Sequence, residues 1–488
     1  MSNIKYDINY NLSAKHEAFP YQHEAYLEIR DKEYAAIFHE QGLGKTKIAI
    51  DLLLYWLEKK DIDTVLIVTK KTLVNNWCEE FKIHTNIVPK TLDNKHGCNY
   101  YVFNSTARVV VTNFETVAGE IDRMKLFLKT RNVAIIIDES TKIKNPDAKL
   151  TQAFFEIAPL FKIRIIMTGT PVANRPYDIW AQVYFLDQGK SLGDNFEHFK
   201  NECDLSNDLE SDASRRNTFE KSVSSIFEKI KSFSVRETKS SGIISLPNKI
   251  YHDLYIGFEK KQSEMYEQIR SEMRILLQKG DESILDESVD TIKRLLRLVQ
   301  ITSNPKLLDD NYQYHSAKEI LLDQTIAKIM EREEKVIVWS IFTGNVDQFC
   351  RKYKNLNTCK ITGKMSVEDR NKSVVAFKKG DAKVLFATPQ SAKEGLTLTV
   401  ANNAIFYDRG FNLDDYLQAQ DRIHRISQEK DCNIYNLMIE DSIDIWIDVL
   451  LKAKQRAAFL TQGDMSLASY KDGANYSFAS IIHEILKT

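Results

Sequence analysis

One short stretch of the sequence has the composition of a phosphate-binding loop. Gln41-Gly42-Leu43-Gly44-Lys45-Thr46 follows an apolar run and opens a helical pattern. Glycines let backbone N–H groups approach an anion, a helix N-terminus favours negative charge, and Lys45 adds a positive charge. Thr46 is a candidate ligand for Mg2+. The full phosphate-loop pattern has its first glycine where His39 stands, so the match is partial and a glycine-rich helix start without a ligand is the alternative.

A second stretch supplies carboxylates. Ile135-Ile136-Ile137-Asp138-Glu139 is an apolar run that ends in two acids. An aspartate at the carboxyl end of a buried parallel strand lies at the sheet edge that carries the phosphate loop, where Asp138 is a candidate Mg2+ ligand and Glu139 a candidate base for the attacking water. A simple turn is the alternative for the two acids alone. Together with the loop they indicate an enzyme that cleaves a nucleoside triphosphate.

Phosphoryl transfer also needs positive charge on the terminal phosphate. The stretch Gln418-Ala419-Gln420-Asp421-Arg422-Ile423-His424-Arg425 predicts a helix with both arginines on one face. Arg422 and Arg425 are therefore candidate arginine fingers. A solvated basic helix face is the alternative interpretation.

The elements that would position these residues form two similar series. Continuous β-branched runs, typical of parallel strands covered on both faces, alternate with helical patterns such as 45–58. In the first series the runs are at 35–38, 65–69, 109–112, 134–138 and 164–168, and in the second at 336–339, 359–362, 384–387, 404–407 and 433–437. The pattern predicts an α/β protein with two doubly wound parallel sheets.

The segment between the two series is rich in Glu, Lys, Ser and Leu at helical spacing, and it is too long for a simple linker. We therefore expect helical protrusions there. The predicted regions are a first lobe over residues 1–188, protrusions and linker over 189–314, a second lobe over 315–462, and a tail over 463–488 to which no role is assigned.

Composition excludes several classes of protein. The 488 residues include 67 Lys and Arg against 68 Asp and Glu, so a nucleic-acid site must be a local basic stripe. The six cysteines lack metal-ligand spacing and indicate reduced thiols. No apolar run suits a signal peptide or a membrane span. We expect a protein of a bacterial cytoplasm or of a virus in its host's cytoplasm, without membrane contact.

The ordered set of motifs resembles the Swi/Snf-type ATPases of helicase superfamily two. Two departures from that family are Ala392-Lys393-Glu394, where motif five usually has more glycine, and Gln41, which stands where methionine is usual. The stretches that carry the resemblance, from the glutamine motif through motif six, are 19–22, 41–46, 66–77, 110–115, 138–145, 168–180, 336–340, 361–377, 395–402 and 418–428.

The resemblance implies two RecA-like lobes that bind ATP between them, with helical protrusions inserted between motif three and motif four. It implies Glu139 as the base, with Lys45, Gln418, Arg422 and Arg425 completing the catalytic set. Mg2+ would be held by Thr46 and Asp138. The nucleotide contacts it implies come from Gln22, Gly42, Gly44, Lys45, Thr46, Asp138 and Gly395.

The resemblance also implies a monomeric motor that grips double-stranded DNA at its phosphates, without sequence specificity, and moves along it. A protein target such as RNA polymerase or a DNA-bound complex would be remodelled. The alternatives are a strand-separating or annealing helicase on forks or RNA, and an adaptor associated with RNA polymerase. The candidate DNA contacts are Lys70, Lys71, Asn113, Thr343, Thr388 and Lys393.

Overall fold

The apolar runs of the sequence form the strands of two parallel β-sheets. The computed structural model describes residues 11–60, 62–93, 96–207, 209–243, 246–279, 289–392 and 396–474. Its strands are β1 (Tyr34–Ile37), β2 (Thr64–Thr69), β3 (Lys90–Thr91), β4 (Val109–Asn113), β5 (Val133–Asp138), β6 (Ile163–Met167), β7 (Ser234–Val235), β8 (Lys249–Ile256), β9 (Val336–Trp339), β10 (Thr358–Ile361), β11 (Val384–Ala387), β12 (Asn403–Phe406) and β13 (Cys432–Ile439).

Helices cover the sheets and connect their strands. In chain order they are α1 (Pro20–Ile29), α2 (Lys45–Lys59), α3 (Val74–His84), α4 (His96–Phe103), α5 (Phe114–Gly119), α6 (Ile121–Thr130), α7 (Lys149–Ile157), α8 (Trp180–Asp187), α9 (Phe196–Cys203), α10 (Ala213–Ile230), α11 (Lys260–Lys279), α12 (Val289–Ser303), α13 (Ala317–Glu331), α14 (Thr343–Lys352), α15 (Val367–Lys379), α16 (Pro389–Ala392), α17 (Leu413–Gln420), α18 (Ile443–Gln462) and α19 (Leu467–Asp472). In the described part of the chain, none of them has the length and apolar character that a bilayer span requires.

The first sheet has seven strands in the order β3-β4-β2-β5-β6-β1-β7, and its paired strands are parallel. The inner strand β2 is buried along its whole length, because helices cover both faces of the sheet. Helix α2 contributes Leu52, Leu53 and Trp56 to the core on one face, where they join Ile67 and Ile136 of the strands. This arrangement confirms the doubly wound sheet predicted for the first lobe.

The second sheet has six strands in the order β10-β11-β9-β12-β13-β8, again with parallel pairs. Successive side chains of a strand point to opposite faces. Ile337 and Trp339 of β9 accordingly enter one core, whereas Val336 and Val338 enter the other. The second predicted α/β lobe is therefore also confirmed.

Contacts along the chain group it differently from the predicted regions. One unit comprises the described residues within 1–204, 214–244 and 457–472, and the other comprises those within 205–213, 245–456 and 473–488. The segment predicted as helical protrusions is thus divided, and it also contributes an edge strand to each sheet, β7 and β8. Neither strand is predicted by the apolar runs of the sequence.

A buried ion pair ties helices together beside the second sheet. Lys318 of α13 and Asp444 of α18 are 2.7 Å apart, and their side chains are 0% and 4% exposed. Asp444 also accepts hydrogen bonds from the hydroxyl of Thr302 and from the amide of Ile439. Removing one member of such a pair leaves the other charged and desolvated in the core.

Lys318→Met should therefore lower the free energy of unfolding by about 3 to 5 kcal/mol. The measurement is urea unfolding followed by tryptophan fluorescence, which Trp339 reports from within the same unit. Lys372→Met is the control, because Lys372 and Glu368 form an exposed pair and its loss should cost less than about 1 kcal/mol. Equal effects of the two substitutions would contradict the structural role of the buried pair.

Candidate functional site

The candidate residues of the first unit follow the carboxyl ends of parallel strands, which meet at one edge of the sheet. The phosphate loop follows β1, Asp138 ends β5, and Gly169 follows β6, which lies between those two strands. A Cβ atom on Gly169 would lie 2.7 Å from Cγ of Gln41 and 3.4 Å from Nζ of Lys45. The loop after β6 therefore packs directly against the phosphate loop.

Gln22, predicted to contact the nucleotide, is fixed against that loop. Gln22 is buried; its Oε1 accepts from the amide of Phe19 at 3.1 Å and its Nε2 donates to the carbonyl of Leu43 at 3.3 Å. Gly44 has a φ of 73°, a left-handed conformation, and a Cβ atom there would lie 2.1 Å from Nε2 of Gln22. Only glycine meets both conditions.

Lys45 bonds to the loop that precedes it. Its ammonium donates to the carbonyl oxygens of His39 at 2.9 Å and Glu40 at 3.2 Å. Carbonyl oxygens orient the ammonium without cancelling its charge. Gly44 precedes α2, and within the described residues no side chain caps the first turn of this helix. The helix start thus presents backbone N–H groups and a cation to an anion.

Asp138 is half-buried, and two donors hold its carboxylate. Its Oδ2 accepts from Nε1 of Trp77 at 2.9 Å and from the hydroxyl of Thr69 at 3.1 Å. Burial, followed by the neighbouring Glu139 carboxylate, raises the pKa of Asp138 to about 6, while Trp77, Lys45 and Thr69 act in the opposite direction. A bound cation would relieve this cost of holding a buried carboxylate. Thr69 and Trp77 lie in the stretch 66–77, which carries part of the family resemblance, but the sequence did not predict their contact with Asp138.

Glu139 has a strained backbone and lies beside a lysine. Its φ is 57°, and such non-glycine conformations are concentrated at functional sites. Its Oε2 is buried without a hydrogen-bond partner and lies 3.7 Å from Nζ of Lys70. Lys70, predicted to contact DNA, therefore faces the candidate base in this structure.

The residues of this edge fit a nucleoside triphosphate with Mg2+. The helix start and Lys45 suit phosphate, and the buried oxygens of Asp138 and Glu139 suit a cation and a water molecule. Thr46 is the second residue of α2. In the described residues no group of three or more His, Cys, Asp or Glu could hold a metal by itself. This agrees with Mg2+ chemistry, in which phosphate oxygens and waters complete the coordination.

A hydrogen-bond network connects the acidic stretch to the loop after β6. The hydroxyl of Ser140 donates to Oε1 of Gln182 at 2.7 Å, and Nε2 of Gln182 donates to the carbonyl of Pro171 at 2.8 Å. Lys144 donates to Asp178 at 2.9 Å. These contacts connect the stretches 138–145 and 168–180, which both carry the family resemblance. No local pattern in the sequence predicts them.

In the second unit, the prediction that Arg422 and Arg425 share one face of a helix was wrong. Helix α17 begins after its N-cap, Asn412, and ends at Gln420. The chain then turns tightly, with the amide of Arg422 donating to the carbonyl of Ala419 at 3.3 Å. The two arginines lie in the turns after the helix.

Both guanidinium groups bond to neutral oxygen atoms, and Arg422 is 1% exposed. Burial lowers the pKa of Arg425, and Asp421 acts in the opposite direction. Arg422 donates to the carbonyls of Gln418 and Leu396 at 3.1 and 3.3 Å, and Arg425 donates to the carbonyl of Asp421 and the hydroxyl of Thr397 at 3.1 and 2.8 Å.

The third candidate of this stretch, Gln418, is also buried. Its Nε2 donates to Oδ1 of Asp414 at 2.7 Å, and its Oε1 is buried without a hydrogen-bond partner. A buried acceptor without a donor costs free energy that a ligand or a moving side chain can recover. Gly395, predicted to contact the nucleotide, lies outside the described residues.

The remaining candidate DNA contacts differ in exposure. Lys71 is exposed, and Thr343 is half-buried at the start of α14. Asn113 and Thr388 are buried. Their side chains have internal partners, since Asn113 caps α5 and Thr388 bonds to a neighbouring serine. Contact with DNA at those two positions would need the backbone or a rearranged side chain.

Lys393 lies outside the described residues. Arg236, a further basic residue of the first unit, forms an ion pair with Asp464 and donates to the carbonyl of Phe38 at 2.7 Å. Its side chain is 10% exposed. Arg236 is therefore part of the packing beside β1. The assignment of DNA contacts stays a prediction.

Two protein families match the chain. The SNF2-related domain matches residues 24–307, and the helicase conserved C-terminal domain matches residues 317–427. The ISWI chromatin-remodeling complex ATPase ISW1 of Saccharomyces cerevisiae is 27% identical over 85% of this chain and 37% of its own length. An uncharacterized ATP-dependent helicase of Mycoplasma pneumoniae is 28% identical over 89% of this chain and 42% of its own.

The human SWI/SNF-related matrix-associated actin-dependent regulator of chromatin subfamily A member 1 is 27% identical over 83% of this chain and 39% of its own length. This chain thus spans less than half of each of these relatives. The solved Sulfolobus solfataricus SWI2/SNF2 ATPase core in complex with dsDNA is 22% identical, with a TM-score of 0.42 over 96% of this chain and 97% of its own.

The packing of Gln22 on Gly44 gives a test of the nucleotide site. Gly44→Ala places a methyl group where Gln22 lies and adds strain to a left-handed residue, so we expect the Kd for ATP with Mg2+ to rise roughly tenfold or more. Isothermal titration calorimetry measures it. Gly119→Ala, which meets nothing within 4 Å, is the control and should bind as the parent does. Unchanged binding by Gly44→Ala would show that the loop does not form the site.

Proposed function

This chain belongs to the SNF2-related domain family, and on that premise we propose that it hydrolyses ATP and uses the energy to move along double-stranded DNA. The observation that carries the proposal is the shared sheet edge of the first unit. There the glycine-led start of α2, Lys45 and the half-buried Asp138–Glu139 pair lie at the carboxyl ends of strands of one parallel sheet. This is the arrangement that phosphoryl transfer from a nucleotide requires.

In this proposal each residue of the edge has one role. The α2 start and Lys45 bind phosphate oxygens, and Gln22 contacts the base. Thr46 and Asp138 hold Mg2+, which when bound neutralises phosphate charge. Glu139 orients the attacking water and accepts its proton, because a carboxylate within hydrogen-bond reach is the usual general base.

Arg422 and Arg425 supply positive charge to the terminal phosphate as it leaves. Neutral oxygens orient their guanidinium groups, the carbonyl of Gln418 for Arg422 and the hydroxyl of Thr397 for Arg425. Preoriented charge stabilises a transition state without the cost of reorganising water. Gln418, whose Oε1 has no hydrogen-bond partner in this structure, is the third residue of the stretch to which we assign a role at the phosphate.

DNA is the proposed track because the relatives include proteins named as chromatin-remodeling ATPases and as an ATP-dependent helicase. Lysines such as Lys70 and Lys71 would contact phosphates, which carry no sequence information. Binding should then weaken steeply with salt. We propose protein–DNA complexes or branched DNA as the structures that the motor remodels. Strand separation is the second candidate, which the helicase relative favours.

Glu139→Gln tests the assignment of the base. Glutamine keeps the size of the side chain but cannot accept the proton, so ATP turnover with saturating duplex DNA should fall at least ~100-fold. ATP binding should persist. The control is Glu115→Gln, since Glu115 pairs with Lys142 and is 55% exposed; it should keep the parent rate. Full turnover by Glu139→Gln would exclude Glu139 as the base.

Displacement of a triplex-forming strand tests movement on duplex DNA. A motor that tracks along the duplex should release the third strand in an ATP-dependent manner while both duplex strands stay paired. The same preparation is then given a forked duplex and an RNA duplex. ATP turnover stimulated by RNA alone would reject the DNA proposal, and release of single strands from the fork without triplex displacement would select the strand-separating helicase.

A further inference from the structure

Strand β8 contacts the end of α17, immediately before the two arginines. The ammonium of Lys249 lies 3.0 Å from Oδ1 of Asp421 and 3.5 Å from Oε1 of Gln420. The hydroxyl of Tyr251 donates to the same Oε1 at 2.9 Å. Two side chains from an edge strand therefore fix both residues at the junction between α17 and the arginine turns.

Pairing with β13 fixes the position of β8 and orients both side chains. Lys249 and Tyr251 are two residues apart and so project from the same face of β8. All residues of β8 pair in register with β13, from Lys249 with Cys432 to Ile256 with Ile439. Just before the strand, the carbonyl of Pro247 lies 2.8 Å from Nε2 of His424, between the two arginines in the chain.

The positive charge of Lys249 acts on the carboxylate of Asp421. Arg425 already bonds to the main-chain carbonyl of Asp421, and the carboxylate of the same residue interacts electrostatically with its guanidinium group. Lys249 and Asp421 are 21% and 16% exposed, and a pair shielded from water in this way interacts more strongly than one on the surface. Because Lys249 pairs with the carboxylate of Asp421, Arg425 bonds to the hydroxyl of Thr397, which is a weaker, neutral acceptor.

We propose that Lys249 and Tyr251 are positioning residues for Arg422 and Arg425. Lys249 neutralises Asp421, Tyr251 fixes Gln420, and together they keep the arginine turns in the form that binds a terminal phosphate. This inference rests on the proposed ATPase function and adds to it a part of the chain far from the arginines in sequence. Substitution in β8 should therefore change the chemical step and leave nucleotide binding intact.

The test is a double-substitution cycle on DNA-stimulated ATP turnover. Lys249→Ala frees the Asp421 carboxylate to capture Arg425, so kcat should fall roughly ten- to hundredfold while the KM for ATP stays within about twofold of the parent value. Asp421→Asn removes the competing charge and should keep kcat near the parent value. In the double variant, kcat should return to within about threefold of that of Asp421→Asn.

A purely structural role predicts a different result. In that case Lys249→Ala would have a lower melting temperature than the parent, but the same kcat when measured well below that temperature. Such a result would overturn the inference. Lys452→Ala is the matched control, because Lys452 pairs with Asp253 on the same strand at 3.5 Å; its kcat should not change. If Lys249→Ala does not fold, Tyr251→Phe carries the test, and it should lower kcat roughly threefold or more.

A crystal structure of the Lys249→Ala variant gives a readout independent of turnover. Arg425 should leave the hydroxyl of Thr397 and bind the carboxylate of Asp421, and an unchanged Arg425 would overturn the inference. Arg425→Ala separates the two proposals. Full ATPase activity of Arg425→Ala would reject the assigned role of the arginine, whereas loss of activity there with a normal kcat for Lys249→Ala would reject only the positioning role of Lys249.

Discussion

The proposed phosphate chemistry depends on how the fold orients the cations assigned to it. Lys45, Arg422 and Arg425 each donate to neutral oxygen atoms. Cations elsewhere in the same units pair with carboxylates, as Lys318 does with Asp444 and Arg409 with Asp448. A carboxylate partner stabilises the fold, but it must be displaced before the cation can bind an anion. Neutral acceptors fix the geometry and avoid that cost, which is the requirement for preorganised catalysis.

Parallel sheets make this arrangement possible because they place loops from distant parts of the chain at one edge. The edge of the first sheet holds a partly desolvated carboxylate, Asp138, that would be costly by itself. Donors from two other elements, Thr69 at the end of β2 and Trp77 on α3, offset part of the cost. The site is therefore not built by the phosphate loop alone. The stretch around Trp77 contributes to the sheet edge that is proposed to bind the nucleotide. The same stretch contains Lys70 and Lys71, which are predicted to contact DNA.

The sequence predicted five strands in each sheet and the phosphate loop, because continuous β-branched runs and a glycine-led helix start are local patterns. It missed β8 because an edge strand carries no continuous buried run, and Tyr251 and Tyr255 on it are each 50% exposed. It also extended α17 too far, since the chain from Gln420 onward keeps a helical pattern with no glycine or proline to mark the end. Lys249 and Asp421 are 172 positions apart, a separation at which no local pattern indicates a contact.

Local spacing nevertheless explains why these cations have neutral acceptors. On α2, Lys47 pairs with Asp51 one turn later at 2.5 Å, whereas the residue one turn after Lys45 is Ala49 and offers no carboxylate. Arg422 has Gln418 one turn before it and donates to its carbonyl. Arg425 is the exception, because Asp421 precedes it by one turn and carries an acid. At this position Lys249 of β8 pairs with the Asp421 carboxylate. A contact between residues distant in sequence therefore gives Arg425 a neutral acceptor, as local spacing does for Lys45 and Arg422.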